Sequence, residues 1–178
     1  MKTINSIIRI TSIASILLFS QFANAQKISQ KSVAVTVSGT SPLHDWDMTS
    51  AAATFTGTVS GNSIANATFS IPAKNLKSKK GKMMDNKAYD ALKATANPTI
   101  TFSAATIPVG KSNVAGKLTI AGVSKNVSIP VTVVKKGSAF AINGTENLKL
   151  SEYGMERPGF MGVKTGDAIS VNVKIVAE

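Results

Sequence analysis

KLTIAGVSKNVSIPVTV (Lys117–Val133) is the stretch on which the reading of the fold turns. Leu118 and Ile120 alternate with Lys117 and Thr119, a break follows at Gly122 to Ser124, and Val127, Ile129, Val131 and Val133 then alternate again. Apolar residues at every second position on both sides of a glycine-containing break predict two half-buried strands joined by a turn. The same period runs outward in both directions. Upstream it picks out Val33 to Val37, then Ala51, Ala53, Phe55, Gly57 and Val59, then Ala67, Phe69 and Ile71, then Ile100, Phe102 and Ala104. Downstream, Phe140 and Ile142 lead into Leu148 and Leu150, and Ile169, Val171, Val173 and Ile175 close the series. About eight strands result, and the short breaks at Gly61-Asn62, Gly110-Lys111 and Lys136-Gly137 make most neighbours antiparallel.

One segment departs from this period. Met84, Ala88 and Leu92 recur every four residues, with Asp85 as the expected N-cap and Asn97-Pro98 as the stop, which predicts one short helix between the third and fourth strands. An all-β chain with one helix must pair its apolar sheet faces as a sandwich or close them into a barrel, and periodicity does not choose between the two. The many Ala, Gly and Val residues at inward positions would leave room in a barrel of eight strands, and would equally suit tight packing of sheet on sheet.

The first 25 residues read as a cleavable export signal. Lys2 and Arg9 precede an apolar run from Ile10 to Phe22, and Ala23-Asn24-Ala25 has the small-x-small pattern of a cleavage site. A single domain over residues 26–178 is then expected in the periplasm or secreted. The chain has no cysteine, so disulfides, thiolate metal sites and a lipid-modified cysteine are excluded, and neither metal nor cofactor is expected. Loss of Lys2 and Arg9 leaves 18 basic against 9 acidic residues. For an exported protein this points away from nucleic acid and toward anionic surfaces. Lys74, Lys77, Lys79, Lys80 and Lys82 crowd one segment that reads either as a solvated loop or as a contact for an anionic membrane.

Two polar interruptions break the alternation. SPLHDW (Ser41–Trp46) holds the only His and the only Trp, flanked by Asp45 and Asp47; LSEYGMERPGFMGVKTGD (Leu150–Asp167) mixes Glu152, Tyr153, Glu156 and Arg157 with Met155, Phe160 and Met161. The first reads as a strand-end turn with a structural Trp or as a site, the second as a mouth or lid or as an Ω-like loop. A hydrolase using His44 lacks support: no GxSxG motif is present, one His without Cys does not make the common zinc sites, and adjacent strand residues point to opposite faces. No catalytic residue is assigned.

Four segments together resemble the YceI-like family of exported lipid-binding proteins: GTSPLHDW (Gly39–Trp46), MDNKAYDALKATANPTITF (Met84–Phe102), GKLTIAGVSKNVSIPV (Gly116–Val131) and LSEYGMERPGFMGVKTGDAISVNV (Leu150–Val173). The resemblance implies an elongated, lipocalin-like antiparallel barrel of about eight strands that holds a long polyisoprenoid or other amphiphile, tail inside and polar head near the opening. The chain looks like the branch carrying HDW after the first strand, so ligand contacts of the other branch are not carried over. On this reading Val35, Phe55, Phe69, Ile100, Phe102, Leu118 and Ile120 are the expected apolar wall, a set that a one-residue register error would invert. His44, Asp45, Tyr89, Tyr153 and Arg157 are the expected polar groups at the mouth. Arg157 suits a phosphate, or pairs with Asp45, and Tyr89 suits a cover on the barrel. The rival is an envelope interaction module with a filled barrel and no ligand. Monomer and homodimer both fit the sequence.

Overall fold

The computed structural model describes residues 26–178, so the expected export signal at residues 1–25 lies outside the described residues. In chain order the strands are β1 (Lys27–Gly39), β2 (Trp46–Ser50), β3 (Thr54–Ser60), β4 (Ser63–Pro72), β5 (Lys77–Ser78), β6 (Thr99–Pro108), β7 (Gly110–Ile120), β8 (Val123–Lys136), β9 (Ala139–Lys149), β10 (Gly159–Phe160), β11 (Val163–Lys164) and β12 (Ala168–Ala177); the helix α1 (Lys82–Ala91) lies between β5 and β6. The eight long strands follow one another antiparallel around the sheet, and β1 pairs with β12 from Gln30↔Ala177 to Gly39↔Ile169. That ladder closes the sheet into a barrel, which resolves the alternative between barrel and sandwich. Closure pairs the edges that an open sheet would expose.

β1 changes partner along its other edge. Its first residues, Lys27–Ser29, pair with β3, while Val35–Gly39 pair with β2. The alternation from Ala51 to Val59 predicted a single strand, but the wall divides here: β3 begins at Thr54, and Ala51 to Ala53 connect it to the separate β2. β2 also carries β5 on its far edge.

The helix occupies the expected place, with a different cap. Gly81 is the N-cap, at φ 91°, a left-handed backbone that glycine adopts without a side-chain clash. Asp85 lies inside the helix and buried; its carboxylate accepts the Ser78 N–H at 2.7 Å and stands 3.7 Å from the Lys77 ammonium. It therefore ties β5 to α1 instead of capping. The helix stops short of Asn97-Pro98 because Lys93, just after the C-cap Leu92, turns left-handed at φ 50°.

The ends of the barrel differ in their connections. At one end lie the short β3–β4, β6–β7 and β8–β9 turns and both ends of the described chain. Ile28, Ile64, Val114, Val133, Phe140 and Ala177 pack there in one buried cluster. At the other end lie the short β7–β8 turn, the β1–β2 turn, the β4–β6 connection with α1, and the β9–β12 connection with the β10–β11 hairpin. A second buried cluster there gathers Met48, Leu76, Leu92, Leu150 and Tyr153.

Candidate functional site

Between these ends runs a cavity of about 200 Å³. Its walls are side chains that the strand period turns inward, and all seven expected wall residues, Val35, Phe55, Phe69, Ile100, Phe102, Leu118 and Ile120, line it. Ladder registers explain the neighbourhood: Phe55 faces Phe69 across β3–β4, Phe69 faces Phe102 across β4–β6, and Phe102 faces Leu118 across β6–β7. Three aromatic rings thus stand in one row around the wall. Phe69, Ile100, Phe102, Ile129, Val171 and Val173 point inward and yet remain half-buried, because they border space and not another side chain. Gly116 contributes to this row: a Cβ there would collide with the Phe102 ring and with the Ser103 carbonyl, so glycine lets Phe102 lie against β7.

A roof closes the end with long connections. Met84, Ala88 and Ala91 of α1 with its C-cap Leu92, Trp46 and Met48 of β2, and Met155, Pro158 and Thr165 of the β9–β12 connection all line the cavity. Lys87 of α1 donates to the Gly159 carbonyl, joining helix and connection. Trp46 lies on Gly39, its ladder partner, where any Cβ would overlap the indole; its Nε1–H donates to the Thr40 carbonyl at 3.2 Å. The tryptophan of SPLHDW is thus the first residue of β2, packed on the core and facing the cavity.

The expected polar residues fall elsewhere. His44 is exposed; its Nδ1 lies 3.0 Å from the Asp45 carbonyl, and its own carbonyl accepts the Ser41 hydroxyl at 2.7 Å. No hydrogen bond or ion pair joins His44 or Asp45 to Arg157 among the described residues. Arg157 is exposed and lies near Asp167, whose carboxyl is held below its ordinary range chiefly by the Ser151 hydroxyl and N–H, with help from Arg157. The Tyr89 hydroxyl donates to the Lys74 and Leu76 carbonyls and accepts from Lys77 at 2.6 Å, fastening α1 to the segment before it. Tyr153 is 1% exposed within the core at the roofed end. None of these five lines the cavity. Lys74, Lys79, Lys80 and Lys82 are exposed beside α1, while Lys77 is engaged with Tyr89 and Asp85.

The polar groups that do line it are Asp47, Ser78, Lys87, Thr101, Glu146 and Thr165. Glu146 was legible: it holds the inward phase of Phe140, Ile142, Gly144 and Leu148, where a charge is out of place. Thr165 gives no such signal, since it belongs to a loop. Among the described residues no group of three or more His, Cys, Asp or Glu side chains is placed to hold a metal ion.

Comparison with known proteins gives one family and one fold. The sequence profile of the YceI-like domain matches residues 27–177. Burkholderia cenocepacia BcnA superposes with a TM-score of 0.70 at 20% identity, over 82% of this chain and 96% of that one. A polyisoprenoid binding domain from Saccharophagus degradans, implicated in plant cell wall breakdown, superposes with a TM-score of 0.69 at 13% identity, over 85% and 97%. The Campylobacter jejuni YCEI protein gives 0.52 at 22% identity, over 64% and 71%. At these identities the superpositions show the fold alone. A search of curated proteins finds no match.

Proposed function

Because the chain belongs to the YceI-like domain family, we infer that it is a barrel lipid-binding protein whose cavity holds a long apolar chain, polyisoprenoid-like or another amphiphile. The observation that carries this reading is the row of inward, half-buried apolar side chains around the interior of the barrel. Water inside such a lining finds few partners, whereas each CH₂ moved there from water gains about 0.8 kcal/mol. Affinity then comes from the wall, with Phe55, Phe69 and Phe102 as its broadest surfaces, and polar groups set orientation. The wall does not act on the chain it holds, and His44 is turned into its own loop, so the protein is read as a binding protein and not an enzyme. The leader-like residues 1–25 support export to the periplasm, where an apolar chain needs a carrier, a store or a sensor. Lys74, Lys79, Lys80 and Lys82, exposed at the roofed end, suit contact with an anionic membrane from which such a chain is drawn.

Organic extraction of the purified protein followed by mass spectrometry tests the reading. A stoichiometric apolar lipid is expected; repeated empty extracts from folded protein would leave the filled-barrel interaction module as the better account. Phe102→Asp places a charge in the aromatic row and should abolish lipid retention in a folded variant, while unchanged retention would remove Phe102 from the wall.

A further inference from the structure

The basic surface encloses a cavity with the opposite balance: its charged lining residues are Asp47, Glu146 and Lys87, against 18 basic and 9 acidic residues over the chain after residue 25. Lys87 already donates to the Gly159 carbonyl. Glu146 reaches the interior from β9, between the inward positions Gly144 and Leu148 and opposite Val171 of β12. Two local features leave it room. Gly144 below it has no side chain, and the β8–β9 ladder runs only as far as Val131↔Gly144, next to Pro130, which has no N–H to continue it. Glu146 has no hydrogen bond or ion pair among the described residues; Lys125, the cation beside neighbouring Tyr153, stands over that ring at 5.6 Å from its centroid. Burial pushes the Glu146 carboxyl above its ordinary range, and the Tyr153 phenol, raised first by its own burial, also feels the Glu146 charge. A second group waits under the roof: the Thr165 hydroxyl is buried, lines the same cavity and has no hydrogen-bond partner among the described residues.

A carboxyl among apolar side chains is costly to keep charged unless something supplies a donor. An ammonium on the bound chain would supply a charge-assisted hydrogen bond, and a hydroxyl or amide N–H a neutral one. A carboxylate or a fully ionised phosphate supplies no donor and adds a like charge. We propose that Glu146 sorts the occupants of the cavity: it admits long-chain amphiphiles whose polar end donates hydrogen bonds, amines before alcohols and amides, and turns away chains ending in carboxylate or phosphate. Thr165 serves the same class of head group nearer the roof, because a hydroxyl accepts as well as donates. The proposal rests on the lipid-binding reading and narrows it.

Trp46 is the only tryptophan and lines the cavity, so its fluorescence reports occupancy. The full purified protein is titrated at pH 7 with hexadecylamine, hexadecanol, palmitate and hexadecyl phosphate, each below its micelle concentration. Hexadecylamine should bind about tenfold or more tighter than palmitate. In Glu146→Gln, close in shape, the two should come within about threefold, and Glu146→Lys should reverse the order. The basic surface favours the anionic probes, so it does not mimic the expected sign. Tighter binding of palmitate or hexadecyl phosphate by the unaltered protein, or an order unchanged in Glu146→Gln while hexadecanol still binds, overturns the sorting role and leaves the lipid-binding reading standing. Failure of all four probes, hexadecanol included, overturns both.

Discussion

The end of the barrel with short turns and the end with long connections are built from the same eight strands, yet only one is packed solid. Where hairpins turn within a few residues, the strands are drawn together, and Ile64, Val114, Val133 and Phe140 fill the space between them. At the end with the long connections β7 and β8 stay paired to their turn, but β8 and β9 share no ladder beyond Val131↔Gly144, and that end is roofed by α1 and by the β9–β12 connection. The roof combines its own apolar cluster with polar ties, Asp85 to Ser78, Tyr89 to Lys74, Leu76 and Lys77, and Lys87 to Gly159, where the other end relies chiefly on interlocked apolar side chains. The closed end thus supplies stability, and the roofed end is free to hold something other than protein.

The sharpest way to break this contrast is to empty the packed end. Phe140→Ala should cost about 3–5 kcal/mol in denaturant unfolding, as for other buried aromatic truncations, while lipid content per folded molecule stays unchanged. A cost under about 1 kcal/mol, or loss of lipid, would mean that the two ends are not separable in this way. At the roof, Asp85→Ala removes the acceptor of the Ser78 N–H and should cost about 1–3 kcal/mol, with faster amide exchange confined to β5 and α1. Faster exchange spread through β8 and β9 would show the roof and the wall to be one cooperative unit.

The smallest effects concern pH. Glu178, at the packed end, is held below its ordinary range by hydrogen bonds from Lys31 and Ser138, and Asp167, near the roof, by Ser151. Each lowered folded value means stability that is present above the unfolded pKa and lost as pH falls through the folded one; both groups face solvent, so the loss is slight. Glu146 has the opposite sign: its raised value favours the protonated form, a contribution present below the unfolded pKa and lost as pH rises through the folded one. NMR titration of the side-chain carboxyls should place Glu146 above Glu178 and Glu178 below an ordinary glutamate. Glu146 titrating with or below Glu178 would deny it an apolar setting.

Much of the architecture was legible because strand period is a local signal. The inward phase of Phe55, Phe69, Phe102 and Leu118 could be read in sequence, and the registers then set them side by side. Barrel closure was not legible from period, because it depends on β1 meeting β12 across the whole length of the chain. β2 escaped notice for a related reason: its five residues are held by β1 on one edge and β5 on the other, and Trp46 fits only because Gly39 lacks a side chain. His44, Asp45 and Arg157 drew attention as rare or charged residues in irregular segments, and the fold leaves them exposed on the outside of the roofed end. Glu146 is the converse, a charge inside a regular row, where the alternation of β9 gave its direction and only the cavity gave it meaning.

The change of partner along β1 separates two sets of bonds. Hydrogen bonds from Lys27–Ser29 to β3 complete the hoop, while those from Val35–Gly39 to β2 hold β2 and β5 as a leaf beside it. Because these sets are distinct, breaking the second does not require breaking the first. Loss of the second set alone would uncover Trp46 and Met48 at the cavity while the hoop of eight strands stays closed.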